Sequence, residues 1–150
     1  MPTDRELVAR QLGREPRAFR SVAIRCPFGA PAVTEQEPYD SEGAPFPTTY
    51  YLTCRHLVEA VSRLEAAGGV ERWSAAAAAE KELGASLWAA TEEQRKVTGL
   101  GIGGSRNPSQ LKCLHAHVAY ALARPGYLLG ERILAEVEPR WPDECCSRGE

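Results

Sequence analysis

The segment Lys112-Cys-Leu-His-Ala-His117 places one thiol and two imidazoles close together in the chain. On a helix successive residues turn by about 100°. Cys113 and His117 then stand one turn apart on one face, the spacing that lets two side chains grip one ion. His115 falls on the apolar face with Leu111, Leu114, Val118 and Leu122. If the first turn is not regular helix, His115 and Cys113 exchange roles. Two further thiols, Cys26 and Cys54, each end a run of strand-forming residues. Thiolate and imidazole are ligands that tetrahedral zinc takes readily, and three thiolates also suit an iron–sulfur cluster. Cys26, Cys54 and Cys113 with His117, or His115, therefore make the candidate metal set. Cys145 or Cys146 near the C-terminus is a further source of a fourth ligand. No Cys-x-x-Cys knuckle is present, so the spacing does not choose between zinc and iron–sulfur.

Plainer readings of the same residues stand beside that one. Cysteine is among the most buried residue types, so the thiols also read as core side chains. His115 reads as a core histidine bonded to a carbonyl, and His117 as a half-buried one. A third reading makes Cys113 a nucleophile activated by His117 and a helix N-terminus.

The stretch Thr98-Gly-Leu-Gly-Ile-Gly-Gly-Ser-Arg-Asn107 precedes the Cys/His segment. Gly103, Gly104, Ser105 and Arg106, together with Lys112, resemble an anion-binding nest that leads into a helix N-terminus. A small anionic ligand is the partner this pattern suggests, and a plain connector is the alternative. It is not a phosphate-binding Walker loop, because Gly-Lys-Ser/Thr is missing, and no strand precedes it as a dinucleotide fingerprint requires. Gly-x-Ser-x-Gly, His-Glu-x-x-His and the paired signatures of zinc deaminases are absent as well. Tyr50 and Tyr51 can stack a ligand or simply pack across strands.

The elements that must position these residues follow from periodicity. Residues 4–14 predict a short helix capped by Thr3 or Asp4. Residues 19–26, 32–36 and 48–54 predict three strands, with a proline-rich loop over 38–47. Strands running up, down and up put Cys26 and Cys54 on one edge of the sheet. Residues 55–67 predict a strongly amphipathic helix ended by Gly68-Gly69. Residues 70–97 predict a long alanine-rich helix in which Trp73, Ala77, Leu87 and Trp88 can pack. Asn107-Pro108 predicts the start of a helix running through Ser109 to Ala123, and 129–137 a short last helix. Strands first and helices later predict an α+β fold, a small antiparallel sheet covered by helices. The expected organisation is one domain over 1–138 and a C-terminal tail over 139–150.

Composition excludes several classes. Apolar residues make up 43% and charged residues 25% of 150, ordinary for a globular protein. No apolar run is long enough to span a membrane, and the N-terminus lacks the apolar core of a secretory signal. The net charge is −2, which leaves no electrostatic footprint for general nucleic-acid binding. Five cysteines, widely spaced and odd in number, argue against a disulfide framework and for a reduced, cytoplasmic setting. A metal-free interaction module, using the alanine-rich helix and exposed tryptophans, is the rival from another class.

Four blocks carry a family resemblance: Arg25-Cys-Pro-Phe-Gly-Ala-Pro-Ala-Val33, Pro45-Phe-Pro-Thr-Thr-Tyr-Tyr-Leu-Thr-Cys54, Ser62-Arg-Leu-Glu-Ala66 and Lys112-Cys-Leu-His-Ala-His117. In this order they resemble a bacterial family catalogued as domain of unknown function number 501, over roughly residues 5–137. The resemblance implies a bacterial protein often encoded beside a septum-formation protein and an exopolyphosphatase. It implies no reaction and no catalytic residue.

Overall fold

The computed structural model describes residues 1–107 and 109–146. Helix α1 (Asp4–Leu12) opens where the Glu6 amide donates to the Thr3 hydroxyl at 3.2 Å. It closes at Gly13, whose φ of 72° ends the helix in the left-handed conformation. Strands β1 (Phe19–Arg25), β2 (Pro31–Gln36) and β3 (Tyr50–Leu52) follow. They form one antiparallel sheet in the order β1-β2-β3. Val33 pairs with Ile24 on one side and with Leu52 on the other, so β1 and β3 end on the same edge, as the up-down-up reading expects. β3 is shorter than the predicted 48–54. The Thr53 and Cys54 amides both donate to the Ala32 carbonyl, at 2.9 and 3.3 Å, and the chain then turns into a helix.

That helix, α2 (Arg55–Ala66), buries Leu57, Ala60 and Val61. The long helix expected over 70–97 is two helices, α3 (Gly69–Ala79) and α4 (Lys81–Thr98), broken at the extended Glu80. A straight helix over that span would be about 40 Å long, too long to keep both apolar ends on a core of this size. The corner is tight, since a Cβ on Gly84 would stand 2.7 Å from the Ala77 carbonyl oxygen. The bend buries Trp73 and Ala77 as well as Leu83 and Leu87. Trp88 does not pack as expected: it is 55% exposed.

Helix α5 (Leu114–Ala123) runs through the centre and packs on β3, α2 and α6 (Leu128–Leu134). It starts at Leu114, not at Ser109. Cys113 is extended, with φ −153° and ψ 158°, and the predicted first position Pro108 lies outside the described residues. The described part of the C-terminal segment lies against the rest of the chain. The Pro139 carbonyl is bonded to His56 Nε2 at 2.7 Å, and Trp141 and Cys146 pack against the core. Before it, Glu136 accepts from the Trp73 indole at 2.9 Å and from Arg72 at 2.6 Å, tying that segment to α3. The arrangement is α+β. Among the described residues no helix is long and apolar enough to cross a membrane.

Candidate functional site

A cavity of about 470 Å³ opens between the end of α1, strand β3 and the starts of α2 and α5. That volume is typical of small-molecule sites. Its walls are partly apolar, with Leu12, Leu52, Val58 and Ala116, and partly aromatic, with Tyr50 and Tyr51. Its cationic groups are Arg14 and Arg55, and no Asp or Glu is among its described lining residues. Both guanidinium groups are braced. Arg14 Nη2 donates to the Tyr51 hydroxyl at 3.1 Å and its Cζ stands 6.0 Å from the centre of the Tyr51 ring. Arg55 Nη2 donates to the Arg10 carbonyl at 3.0 Å, across from α1. Thr53 also lines the cavity. It is 1% exposed, and its hydroxyl has no hydrogen-bond partner among the described residues, a state that costs about 1–3 kcal/mol.

Cys113 and His115 complete the wall. Because Cys113 is the N-cap of α5, the amides of Ala116 and His115 favour its thiolate. Burial is the larger effect and pushes the thiol above its ordinary value, with the Glu65 carboxylate adding to the rise and Lys112 opposing it. His115 is fixed through both ring nitrogens. Nδ1 faces Glu65 at 3.2 Å, while Nε2 faces the Val58 carbonyl at 3.2 Å and the Ser62 hydroxyl at 3.1 Å. The same Glu65 oxygen accepts from the Leu114 amide at 2.7 Å, so one carboxylate from α2 both caps α5 and orients the ring. A carboxylate suits that place, at the positive end of the helix dipole.

The expected metal ligands fall into three surroundings. Cys113 and His115 line the large cavity, whereas Cys26 and Cys54 line a small void beyond the sheet edge with Cys145 and Cys146. His117 lines neither, because it is buried in the core with Nδ1 2.7 Å from the Tyr127 hydroxyl. The predicted face shared by Cys113 and His117 does not form, since the helix begins one residue after Cys113. Among the described residues no three His, Cys, Asp or Glu side chains are grouped to hold a metal ion.

Three amides of the glycine loop are bonded within the loop itself. Gly101 donates to the Ser105 carbonyl, Gly104 to Gly101 and Ser105 to Ile102. The Ser105 hydroxyl donates within the same loop, to Asn107 at 3.0 Å. Gly103 and Gly104 take φ of 69° and 80°. A Cβ on Gly103 would stand 3.7 Å from Cys113 Sγ, and one on Gly104 3.0 Å from the Pro47 ring and 3.8 Å from Lys112 Nζ. The loop thus supports the cavity wall behind Cys113. Arg106 does not line the large cavity.

Arg14, Arg55, Thr53 and Glu65 carry no local signature. Glu65 meets Leu114 across 49 positions and Arg14 meets Tyr51 across 37. The β-rich run ending at Cys54 was the one usable signal, because it places Tyr50 and Tyr51 on a strand.

A protein-family model described as "Protein of unknown function (DUF501)" matches residues 22–97 and 89–135. No curated protein and no solved structure matches the chain.

Proposed function

The chain belongs to the DUF501 family, whose description names no activity, and from that premise we propose a function on the cavity itself: it binds a small molecule that joins an apolar body to a carboxylate or phosphate. The observation that carries this reading is the pair of braced guanidinium groups in a largely apolar cavity whose described lining holds no carboxylate. Guanidinium forks match carboxylate and phosphate oxygens. The Tyr51 hydroxyl, bonded to Arg14, adds a polar group, and Leu12, Leu52, Val58 and Ala116 offer contacts for the apolar body.

Benzoate and phenyl phosphate are suitable probes, titrated by calorimetry. A charge-assisted hydrogen bond contributes about 1.5–3 kcal/mol, so Arg14→Ala and Arg55→Ala should each weaken binding by about tenfold or more. Arg106→Ala and Lys112→Ala, which alter the glycine loop and its neighbour, should leave affinity within about twofold of wild type. Binding that ignores both cavity arginines, or that follows Arg106, would move the site to the loop.

Cys113 supports a second reading, a thiol enzyme, because it lines the same cavity at the N-terminus of α5. Its raised pKa works against a resting thiolate, and the two nitrogens of His115 already face other groups. Slow alkylation of Cys113 by iodoacetamide at neutral pH is therefore expected, no faster than that of an unfolded control peptide. Labelling of Cys113 well ahead of every other thiol would favour the enzyme.

A further inference from the structure

Four of the five cysteines line one void at the sheet edge, outside the cavity described above, and two of them are in contact. Cys26 lies just past β1, Cys54 is the N-cap of α2, and Cys145 and Cys146 arrive from the C-terminal segment. They line a small void with a free volume of about 10 Å³, room for about one water molecule. There Cys54 Sγ and Cys146 Sγ lie 3.8 Å apart, although 92 positions separate them in the chain. His56, two residues past Cys54, holds the arriving segment by its bond to Pro139, and Trp141 lines the same void. Cys54 is buried and Cys146 half-buried.

We propose that Cys54 and Cys146 form a reversible disulfide that fastens the C-terminal segment to the start of α2. The sulfurs are already in contact, and closing to the bonded distance of about 2 Å asks for small side-chain adjustments. The oxidant is a low-molecular-weight disulfide. The Cys146 thiolate, the more accessible of the two, attacks one of its sulfurs, forming a mixed disulfide and releasing one small thiol. The Cys54 thiolate then attacks the Cys146 sulfur, and the second small thiol leaves with a proton. Two protein thiols are oxidised to one disulfide while the small disulfide is reduced to two thiols. Burial pushes the Cys54 thiol up to about 12, against the pull of the Leu57 and His56 amides. Burial, the largest of these effects, persists in the mixed disulfide, so the second step accelerates as pH rises.

The test is oxidation of the full chain with oxidised glutathione, followed by alkylation, intact mass and peptide mapping. The expected product has lost two hydrogens, carries no glutathione and maps as Cys54–Cys146. Its Tm is higher by at least about 5 °C, reversed by dithiothreitol. Cys145→Ser should behave as wild type. Cys146→Ser should give no internal cross-link. A cross-link through Cys26 or Cys145, a stable glutathione adduct on wild type without a cross-link, or an unchanged Tm would each overturn the proposal. So would stoichiometric zinc on the untreated protein that blocks oxidation, since the thiols would then belong to a metal. The Cys145→Ser variant keeps the test decisive if Cys146→Ser fails to fold.

Discussion

Lowering the pH from about 7 to about 4 is expected to remove about 3 kcal/mol of folding stability through one imidazole, His117. The side chain is 2% exposed. Its Nδ1 shares a hydrogen bond with Tyr127, and its Nε2 has no partner among the described residues. The Tyr120 and Tyr127 rings stack edge to face beside it. A protonated ring would bring a charge into that apolar setting, so burial holds its pKa down to about 3, against an ordinary 6.5. Between those values the unfolded chain binds a proton that the native protein refuses. The contribution is complete above about pH 6.5 and is lost as pH falls toward 3. Urea unfolding at a series of pH values checks this. His117→Gln removes the titrating group, so the stability gap between wild type and variant should shrink steadily toward acid. Parallel pH profiles for the two proteins would show that His117 does not carry the effect.

Gly130→Ala is expected to destabilise the protein by about 2–3 kcal/mol, lowering the melting temperature by roughly 5–10 °C. On helical propensity alone the change should help by about 1 kcal/mol. Packing overrules it. A Cβ at this point on α6 would stand 2.7 Å from each of three atoms: Ala121 Cβ, the His117 carbonyl oxygen and Tyr127 Cδ2. The first two belong to α5, and one of them is backbone, so relief requires the two helices to separate. They pack against each other closely, and that separation would loosen Leu129 and Ile133, both fully buried. Differential scanning calorimetry of the variant decides the matter. A melting temperature equal to or above wild type would mean that the α5–α6 approach is not tight.

Local patterns were enough for much of the frame. The apolar stripe Leu57, Val58, Val61 and Leu64 announces α2, and the alternation over 19–26 announces β1. A three-strand meander places Cys26 and Cys54 on one edge, because antiparallel neighbours reverse direction at each turn. The family, too, was legible in four short blocks that lie within or beside the matched residues 22–135. The break at Glu80 and the start of α5 at Leu114 were not. An alanine-rich run and the segment before Leu114 are both compatible with helix in the sequence, and only the packing of the whole core decides where each helix starts and stops.

The sequence by itself determined the α+β class, the order of the elements and the thiols at the sheet edge. Those follow from side-chain periods of two and 3.6 residues, which act over short stretches. Tertiary structure alone decided which chemistry the residues share. It sends His117 into the core, gives His115 to Glu65, and brings Arg14 and Arg55 to one cavity. It also brings Cys146 to Cys54 across 92 positions. No local pattern encodes such meetings, because they depend on how helices pack on one sheet, and that packing is set by the burial of the core as a whole.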